Sequence, residues 1–466
     1  MHRIVHFDLK GAPLKVQYLE QVIIQIKSWG ATGVLFEWED TFPYTGDLQI
    51  VGSIANAGGD GLYSIEETRH LLDFANQNGL VPIQLVQTIG HLEFVLKHPA
   101  FRNYRETQRS PAVLCPSQPQ SLQIVKAMVN QALDLQPDAK YFHIGADEVW
   151  HTGVCRECQE RAARSEYRLS SLFLEHIQQL VLFIKQKRPE LTVLMWDDML
   201  RTIRLDTLLA YKLGELVEPV IWNYSAMEYF QIESDLWSNY KKLFPKVWAG
   251  SAFKGANGSC QMLSPVCRYV SNHEAWRREF KKCGPNINFA GVILTGWSRY
   301  DHYATLCELL PVSLPSLSSC LKVLAKSDDS QEVGSSDVLP TAQWAGEQLA
   351  RCVHSLAILR ERAFSFVHGE HVTTWMNPWQ LERNYTNPAH LETIARDAGV
   401  LQSELSSLQA NLEVQLPKLT GPRSTEEWLA TNVTPALRQV ADLHRVAHER
   451  LNAAAGISPL RTHNDG

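Results

Sequence analysis

Tyr141-Phe-His-Ile-Gly-Ala-Asp-Glu-Val149 is a short apolar run that ends in two adjacent carboxylates, Asp147 and Glu148. Two acids side by side at a strand end repel each other and lose solvation, so something must compensate. One reason to build such a pair is chemistry on a bond that needs both a proton donor and a charge stabiliser. The ordinary reason is an acid that caps the next helix. The pair alone does not separate the two, and its surroundings must.

Working outward, residues 1–325 repeat one rhythm: short runs rich in Val, Ile, Leu and aromatics alternate with amphipathic helical stretches. The spacing predicts strands at Ile4–Asp8, Gly33–Glu37, Val81–Gln87, Tyr141–Gly145, Thr192–Trp196, Val217–Trp222, Lys246–Ser251 and Gly291–Gly296. Helices are predicted at Lys15–Trp29, Ile65–Asn78, Ser121–Gln136, Ser170–Lys187 and Tyr269–Cys283. Strands apolar on both faces and separated by helices imply a parallel sheet. Eight such units in this length match a (β/α)8 TIM barrel, an α/β fold. A doubly wound open sheet would need a Gly-rich first turn, and Asp8-Leu9-Lys10-Gly11-Ala12-Pro13 does not supply one. Nearly every predicted strand also finishes in polar or aromatic residues, and a barrel collects those ends on its active face.

After Leu324 the character changes. Residues 326–341 are rich in Ser, Asp and Gly and read as a linker or long loop. Residues 342–466 read as a C-terminal helical region, with helices at Ala342–Phe366, His390–Leu412 and Thr434–Ala454. Leu391, Ile394, Ala398, Leu401, Leu405, Leu408 and Leu412 form a seam spaced three and four apart. An intramolecular seam is the expectation, with a homodimer as its alternative use.

The chain has 466 residues, 45% of them hydrophobic and 20% charged, which is the composition of a globular protein. A formal net charge of −6 and the lack of a basic run exclude a nucleic-acid partner. No apolar run has the length of a membrane span. The opening Met1-His-Arg-Ile-Val-His-Phe-Asp8 has no secretory pattern, so a cytoplasmic or nucleocytoplasmic protein is expected. The nine cysteines are odd in number and irregularly spaced, which suits free thiols. Cys155-Arg-Glu-Cys158 is a C-x-x-C pair, but zinc would need two more ligands and no second C-x-x-C exists. No metal and no cofactor is therefore expected.

The strand ends carry many carboxylates, several tryptophans and a few cations. This set suits a sugar: pyranose faces stack on indole rings, and hydroxyls need acids and cations as hydrogen-bond partners. A metal hydrolase would want a His-x-His set, which is missing, and no G-x-S-x-G marks a serine nucleophile. His143 lies inside its strand and reads as a buried structural histidine.

Five segments taken together resemble a known family. His143-Ile-Gly-Ala-Asp-Glu-Val149 resembles the H-x-G-x-D-E-V strand of family 20 glycoside hydrolases, the β-N-acetylhexosaminidases. Gln87-Thr-Ile-Gly-His91 is similar to that family's D-x-P-G-H segment, and Glu39-Asp-Thr-Phe-Pro43 to its D-x-x-F-P turn. Leu194-Met-Trp196-Asp and Trp297 resemble its tryptophan strand ends. Phe7–Pro13, His91–His98, Ser251–Gly255 and Leu294–His302 resemble a nucleocytoplasmic branch. The departures are Lys10 where an arginine is usual, Trp297-Ser298-Arg299 in place of W-x-E, and Phe253 near the position of the acetamide-binding tyrosine.

The resemblance implies an exo-acting, retaining, substrate-assisted hydrolase that removes terminal β-linked GalNAc or GlcNAc from a glycoconjugate or oligosaccharide, GalNAc preferred. Glu148 would be the general acid and base, protonated because Asp147 and burial raise its pKa. Asp147 would orient the substrate acetamide. His91 would support both. Trp196, Trp222 and Trp297 would wall the sugar. Tyr224 or Tyr300 would replace the missing tyrosine, and Lys10, Asp40, Arg299 and Asp301 would bind hydroxyls. Two other readings stand beside it: a protein nucleophile drawn from Asp8, Glu37, Asp40 or Asp198, and an inert sugar-binding barrel.

Overall fold

A computed structural model describes residues 1–52, 62–325 and 343–455. The segment read as a linker, 326–341, lies outside the described residues. By compactness the chain divides into Met1–Ala345 and Gly346–Gly466.

In the first unit the strands are β1 (His2–Asp8), β2 (Gly33–Glu37), β3 (Val81–Leu85), β4 (Arg105–Thr107), β5 (Ser110–Leu114), β6 (Tyr141–His143), β7 (Thr192–Trp196), β8 (Glu218–Trp222), β9 (Val247–Lys254) and β10 (Phe289–Gly296). Eight of them close a parallel barrel in the order β1-β10-β9-β8-β7-β6-β3-β2. These are the eight strands expected from the sequence. The short antiparallel pair β4–β5 was not expected, and it interrupts the crossover between β3 and the helix Ser121–Leu135.

The barrel interior is packed with side chains. Ile4, Leu35, Ile83, Leu85, Leu194, Val220 and Ile293 are buried together with Trp196 and Trp248. Trp248 closes the lower mouth: it stacks on His2 at 5.6 Å, meets Tyr141 edge-on at 5.4 Å, and its indole N–H donates to Glu218 at 2.6 Å. At the upper mouth Trp196 and Trp297 face each other at 6.0 Å between ring centroids. Local signals agree with the fold. The helix Ile65–Gln77 starts on a capping box in which Ser64 and Glu67 exchange side-chain-to-backbone hydrogen bonds.

Two strands stop earlier than their hydrophobic runs suggest. β3 ends at Leu85 rather than Gln87, and β6 at His143 rather than Gly145. Past β6 the backbone turns left-handed at Gly145 (φ +62°) and Ala146 (φ +70°). A Cβ on Gly145 would lie 2.0 Å from the Gln87 side-chain oxygen, so the turn needs glycine there.

The second unit is helical. Its helices include Glu347–Val367, Pro388–Gln415, Pro422–Asn432 and Thr434–Ala454. All seven seam residues from Leu391 to Leu412 are buried, and their helix packs on Thr434–Ala454 and Glu347–Val367 of the same unit. The first helix starts at Glu347 rather than Ala342, after Gly346 in the left-handed region.

Because Ile83 is fully buried in the barrel layer, Ile83→Ala should cost about 2–5 kcal/mol of unfolding free energy through lost contacts and an unfilled cavity. Denaturant melts followed by tryptophan fluorescence test this. A change below about 0.5 kcal/mol would mean that the barrel interior collapses freely around the site.

Candidate active site

The upper mouth holds a cleft of about 400 Å³. Ten of the twelve residues expected at the site line it: Lys10, His91, Asp147, Glu148, Trp196, Trp222, Tyr224, Trp297, Arg299 and Tyr300. Each comes from the carboxyl end of a barrel strand or the loop that follows.

Asp147 and Glu148 stand on the turn after β6, not on extended strand, and Glu148 itself has φ +51°. The alternation that would send neighbouring side chains to opposite sides therefore does not apply. Both carboxylates instead approach one atom. His91 Nε2 lies 3.5 Å from Asp147 Oδ2 and 3.2 Å from Glu148 Oε2. His91 is also left-handed (φ +51°), and a Cβ on the preceding Gly90 would sit 2.2 Å from the Asp147 carbonyl oxygen. The two loops meet backbone to backbone, which fixes the histidine under the acids.

This geometry sets the charges. Burial opposes a proton on His91, but the Asp147 carboxylate and the hydrogen bond to Glu148 outweigh it and raise its pKa to about 10. The same hydrogen bond holds the Glu148 carboxyl below its ordinary range, more than burial raises it. Burial raises Asp147, and His91 only partly offsets that. The expectation that Glu148 is protonated in the free protein is thus overturned: the imidazolium keeps it ionised, and Asp147 is the acid pushed up.

Further groups hold the pair. Gln87 donates to Asp147 Oδ1 at 3.1 Å and accepts the Ala146 N–H at 3.3 Å. Asp198 accepts the Glu148 N–H at 2.9 Å and the Trp222 indole N–H at 3.3 Å. Burial and then the nearby Asp147 push Asp198 up to about 7. Trp222 stacks on Tyr224 at 5.3 Å. Trp297 lies edge-on to His6 at 4.8 Å with Lys10 Nζ 5.1 Å over its ring. The buried indole N–H of Trp196 has no acceptor among the described residues. Tyr224 lies within the cleft wall, whereas Tyr300 is 70% exposed at the rim. His143 is fully buried, its Nδ1 accepting the Gly145 N–H at 3.0 Å, and burial keeps it neutral.

The hydroxyl-binding candidates divide. Asp40 is buried away from the cleft and accepts the Gly11 N–H at 2.8 Å, so it holds the loop after β1. Asp301 accepts the N–H groups of Tyr303 and Ala304, which makes it a turn former. Neither lines the cleft. Arg299 does, but its guanidinium spans the carbonyls of Lys10, Gly11 and Ala304. Lys10 pairs with Asp8 at 3.1 Å; burial disfavours its charge, yet Asp8, Glu37 and Glu39 hold its pKa above the ordinary value. Glu37, weighed only as an alternative nucleophile, also lines the cleft, as do Gln87, Gly255, Ala256, Gly258 and Ser259, which were not among the expected site residues. Glu37 and Gln87 were legible as strand ends; the 255–259 loop carried only the resemblance at Ser251–Gly255.

Comparison with known proteins follows from this geometry. The family model for the glycosyl hydrolase family 20 catalytic domain matches residues 38–232, a span that includes the acid pair. Hexosaminidase D of Homo sapiens is 37% identical over 459 residues, covering 95% of this chain and 93% of its own length. Hexosaminidase D of Bos taurus is 41% identical over 332 residues, 71% of this chain and 94% of its own. Among solved structures, a β-N-acetylhexosaminidase from Bacteroides fragilis NCTC 9343 superposes with a TM-score of 0.54 at 15% identity, over 71% of this chain and 67% of that one. A chitobiase of Flavobacterium johnsoniae gives 0.51 at 13% identity, over 99% and 73%. Those two show the shared fold.

The folded pKa of His91 lies above its unfolded value of 6.5. Its pairing therefore stabilises the fold fully below about pH 6.5 and ceases to do so as pH rises through about 10. The stability gap between wild type and His91→Gln should narrow over that window. Denaturant melts at both ends measure it, and a gap that widens with pH would contradict the charge assignment.

Proposed function

The chain belongs to glycosyl hydrolase family 20 and is a glycoside hydrolase of the β-N-acetylhexosaminidase type, and on that premise we propose that it removes terminal β-linked N-acetylhexosamine with retention, using the substrate's own acetamide as nucleophile. One observation carries the proposal. The carboxylates lining the cleft are Glu37, Asp147 and Glu148, and Glu37 is held by His6 at 2.9 Å and approached by Gln87 at 3.5 Å. The other acids weighed as nucleophiles are committed elsewhere: Asp8 to Lys10 and the Ser298 N–H, Asp40 to Gly11, Asp198 to Glu148 and Trp222. A retaining enzyme with its own nucleophile needs a carboxylate facing the acid at about 5 Å across the scissile bond. Here Asp147 and Glu148 converge on one histidine, and Glu37 is tied to His6.

In the proposed cycle His91 and Glu148 share one proton. The proton that rests on His91 in the free protein passes across the 3.2 Å contact to Glu148, and from there to the glycosidic oxygen as the aglycone leaves. The acetamide oxygen attacks the anomeric carbon and an oxazolinium forms. Asp147 accepts a hydrogen bond from the amide N–H and balances the ring's positive charge. Glu148, now ionised, takes a proton from water, and that water attacks the anomeric carbon and restores the acetamide. Trp196, Trp222 and Trp297 supply the apolar wall, and Tyr224 the hydroxyl beside the acetamide. A preference for GalNAc rests on the resemblance at Phe7–Pro13, His91–His98, Ser251–Gly255 and Leu294–His302, as does a cytosolic or nuclear site of action.

Chromogenic β-GalNAc and β-GlcNAc glycosides should be cleaved while β-galactoside and β-glucoside are not, and a thiazoline mimic of the intermediate should inhibit. Equal hydrolysis of sugars without the acetamide would sink substrate assistance, and binding without turnover would favour the sugar-binding barrel. Glu148→Gln should lower the rate about 10²–10⁴-fold on poor leaving groups and less on nitrophenols. Asp147→Asn should cost about 10²–10³-fold on both; an undiminished rate would remove its role.

The acid limb of the pH profile should follow protonation of Asp147, above the ordinary aspartate range, and the alkaline limb the loss of the shared proton towards pH 10. His91→Gln should draw the alkaline limb down by more than one pH unit. An unmoved limb would place the proton elsewhere.

A further inference from the structure

Outside the cleft, four side chains of metal-binding chemistry converge that no step of the proposed reaction uses. Cys155 and Cys158 are the C-x-x-C pair, Cys115 follows β5, and Glu106 lies on β4. One ligand atom from each of the four lies within 4.8 Å of every other. Cys115 Sγ is 3.5 Å from both Cys155 Sγ and Cys158 Sγ, and Glu106 Oε2 is 3.2 Å from Cys158 Sγ. Tetrahedral zinc with Zn–S bonds of about 2.3 Å holds its sulfurs about 3.8 Å apart. The two ligands that the sequence does not place beside the C-x-x-C pair come from the unexpected β4–β5 excursion.

The surroundings are those of a built site. Glu106, Cys115 and Cys158 are buried, at 3%, 1% and 0% exposure. Glu106 Oε1 accepts the N–H groups of Val154 at 2.6 Å and Cys155 at 2.9 Å, so its other oxygen faces the sulfurs. Cys155 caps the helix Arg156–Arg164, its sulfur accepting the Cys158 N–H at 3.3 Å. Ser117 Oγ lies 3.0 Å from Cys158 Sγ, and Arg161 donates to the Pro116 carbonyl at 2.8 Å. Hydrogen bonds of this kind orient ligands and offset their charge.

We propose that Glu106, Cys115, Cys155 and Cys158 form a structural zinc site. Three thiolates and a carboxylate suit a borderline-soft divalent ion and not magnesium or calcium. Binding forms three Zn–S bonds and one Zn–O bond and releases the three thiol protons to solvent. The resulting site carries two negative charges, which the N-terminus of Arg156–Arg164 and the Arg161 guanidinium offset. The ion would tie the excursion after β3 to the loop that leaves Glu148, so it would brace the acid pair from behind.

The test uses the full chain purified without chelator. Elemental analysis should find about one zinc per chain, lost in Cys115→Ser, Cys158→Ser and Glu106→Gln and kept in Cys352→Ser. Should the ligand variants fail to fold, wild-type protein stripped by a strong chelator and titrated with Co²⁺ should develop thiolate-to-cobalt charge-transfer absorption that zinc abolishes. Chelation should also lower Tm, and zinc restore it. Protein that contains no zinc and takes up no cobalt overturns the proposal. So does a disulfide between Cys115 and Cys155 or Cys158 found by mass spectrometry in protein supplied with zinc. Neither readout depends on hydrolase activity.

Discussion

Closing eight parallel strands into a ring brings every strand's carboxyl end to one mouth, and the rest of the site follows from that constraint. A packed interior, capped below by Trp248 and above by Trp196, leaves polar residues room only beyond the strand ends. Asp8, Glu37, Glu39, Asp147, Glu148 and Asp198 are gathered there, most of them buried. Carboxylates confined in so small a volume must be paired, hydrogen-bonded or protonated.

The protein answers with shared partners. Lys10 sits 3.1 Å from Asp8 and 4.0 Å from Glu39, and a hydrogen bond joins His6 to Glu37. His91 serves both Asp147 and Glu148 through one nitrogen. That sharing makes the two acids unequal. Asp147 is buried deeper and is pushed up, while Glu148 has the shorter contact and is pulled down. Two neighbouring groups of the same type thereby differ in proton affinity, and the protonated imidazole stands one hydrogen bond from Glu148. The separation is a property of position and not of residue type.

Backbone strain marks where this arrangement is held. His91, Ala146 and Glu148 all adopt positive φ, a conformation unfavourable for residues with a Cβ. The loops after β3 and β6 approach so closely that Gly90 and Gly145 cannot carry a side chain without displacing Asp147 or Gln87. The same two loops, followed outward, end in the β4–β5 excursion and the Cys155–Cys158 turn, which meet again at the sulfur cluster. The acid pair is braced on one side by the barrel and on the other by contacts distant in sequence.

Strand number, strand order in the chain, the helical character of the C-terminal unit and the location of the acid pair were all legible in the sequence, because they follow from hydrophobic period and from residues that lie together along the chain. Five segments in fixed order also carried the family. Tertiary structure alone decided what depends on residues brought together through space. It ended β3 and β6 before their apolar runs did, since close loop packing demanded a turn. It removed Asp40 and Asp301 from the cleft by giving their oxygens to backbone N–H groups, and it admitted Glu37 and Gln87. It reversed the expected charge of Glu148, because a proton's position depends on a distance of 3.2 Å to His91 that no linear spacing encodes. It supplied Cys115 and Glu106 to Cys155 and Cys158 across roughly forty to fifty residues of chain. Periodicity reports which face of an element is apolar; only the folded chain determines which polar groups share one atom.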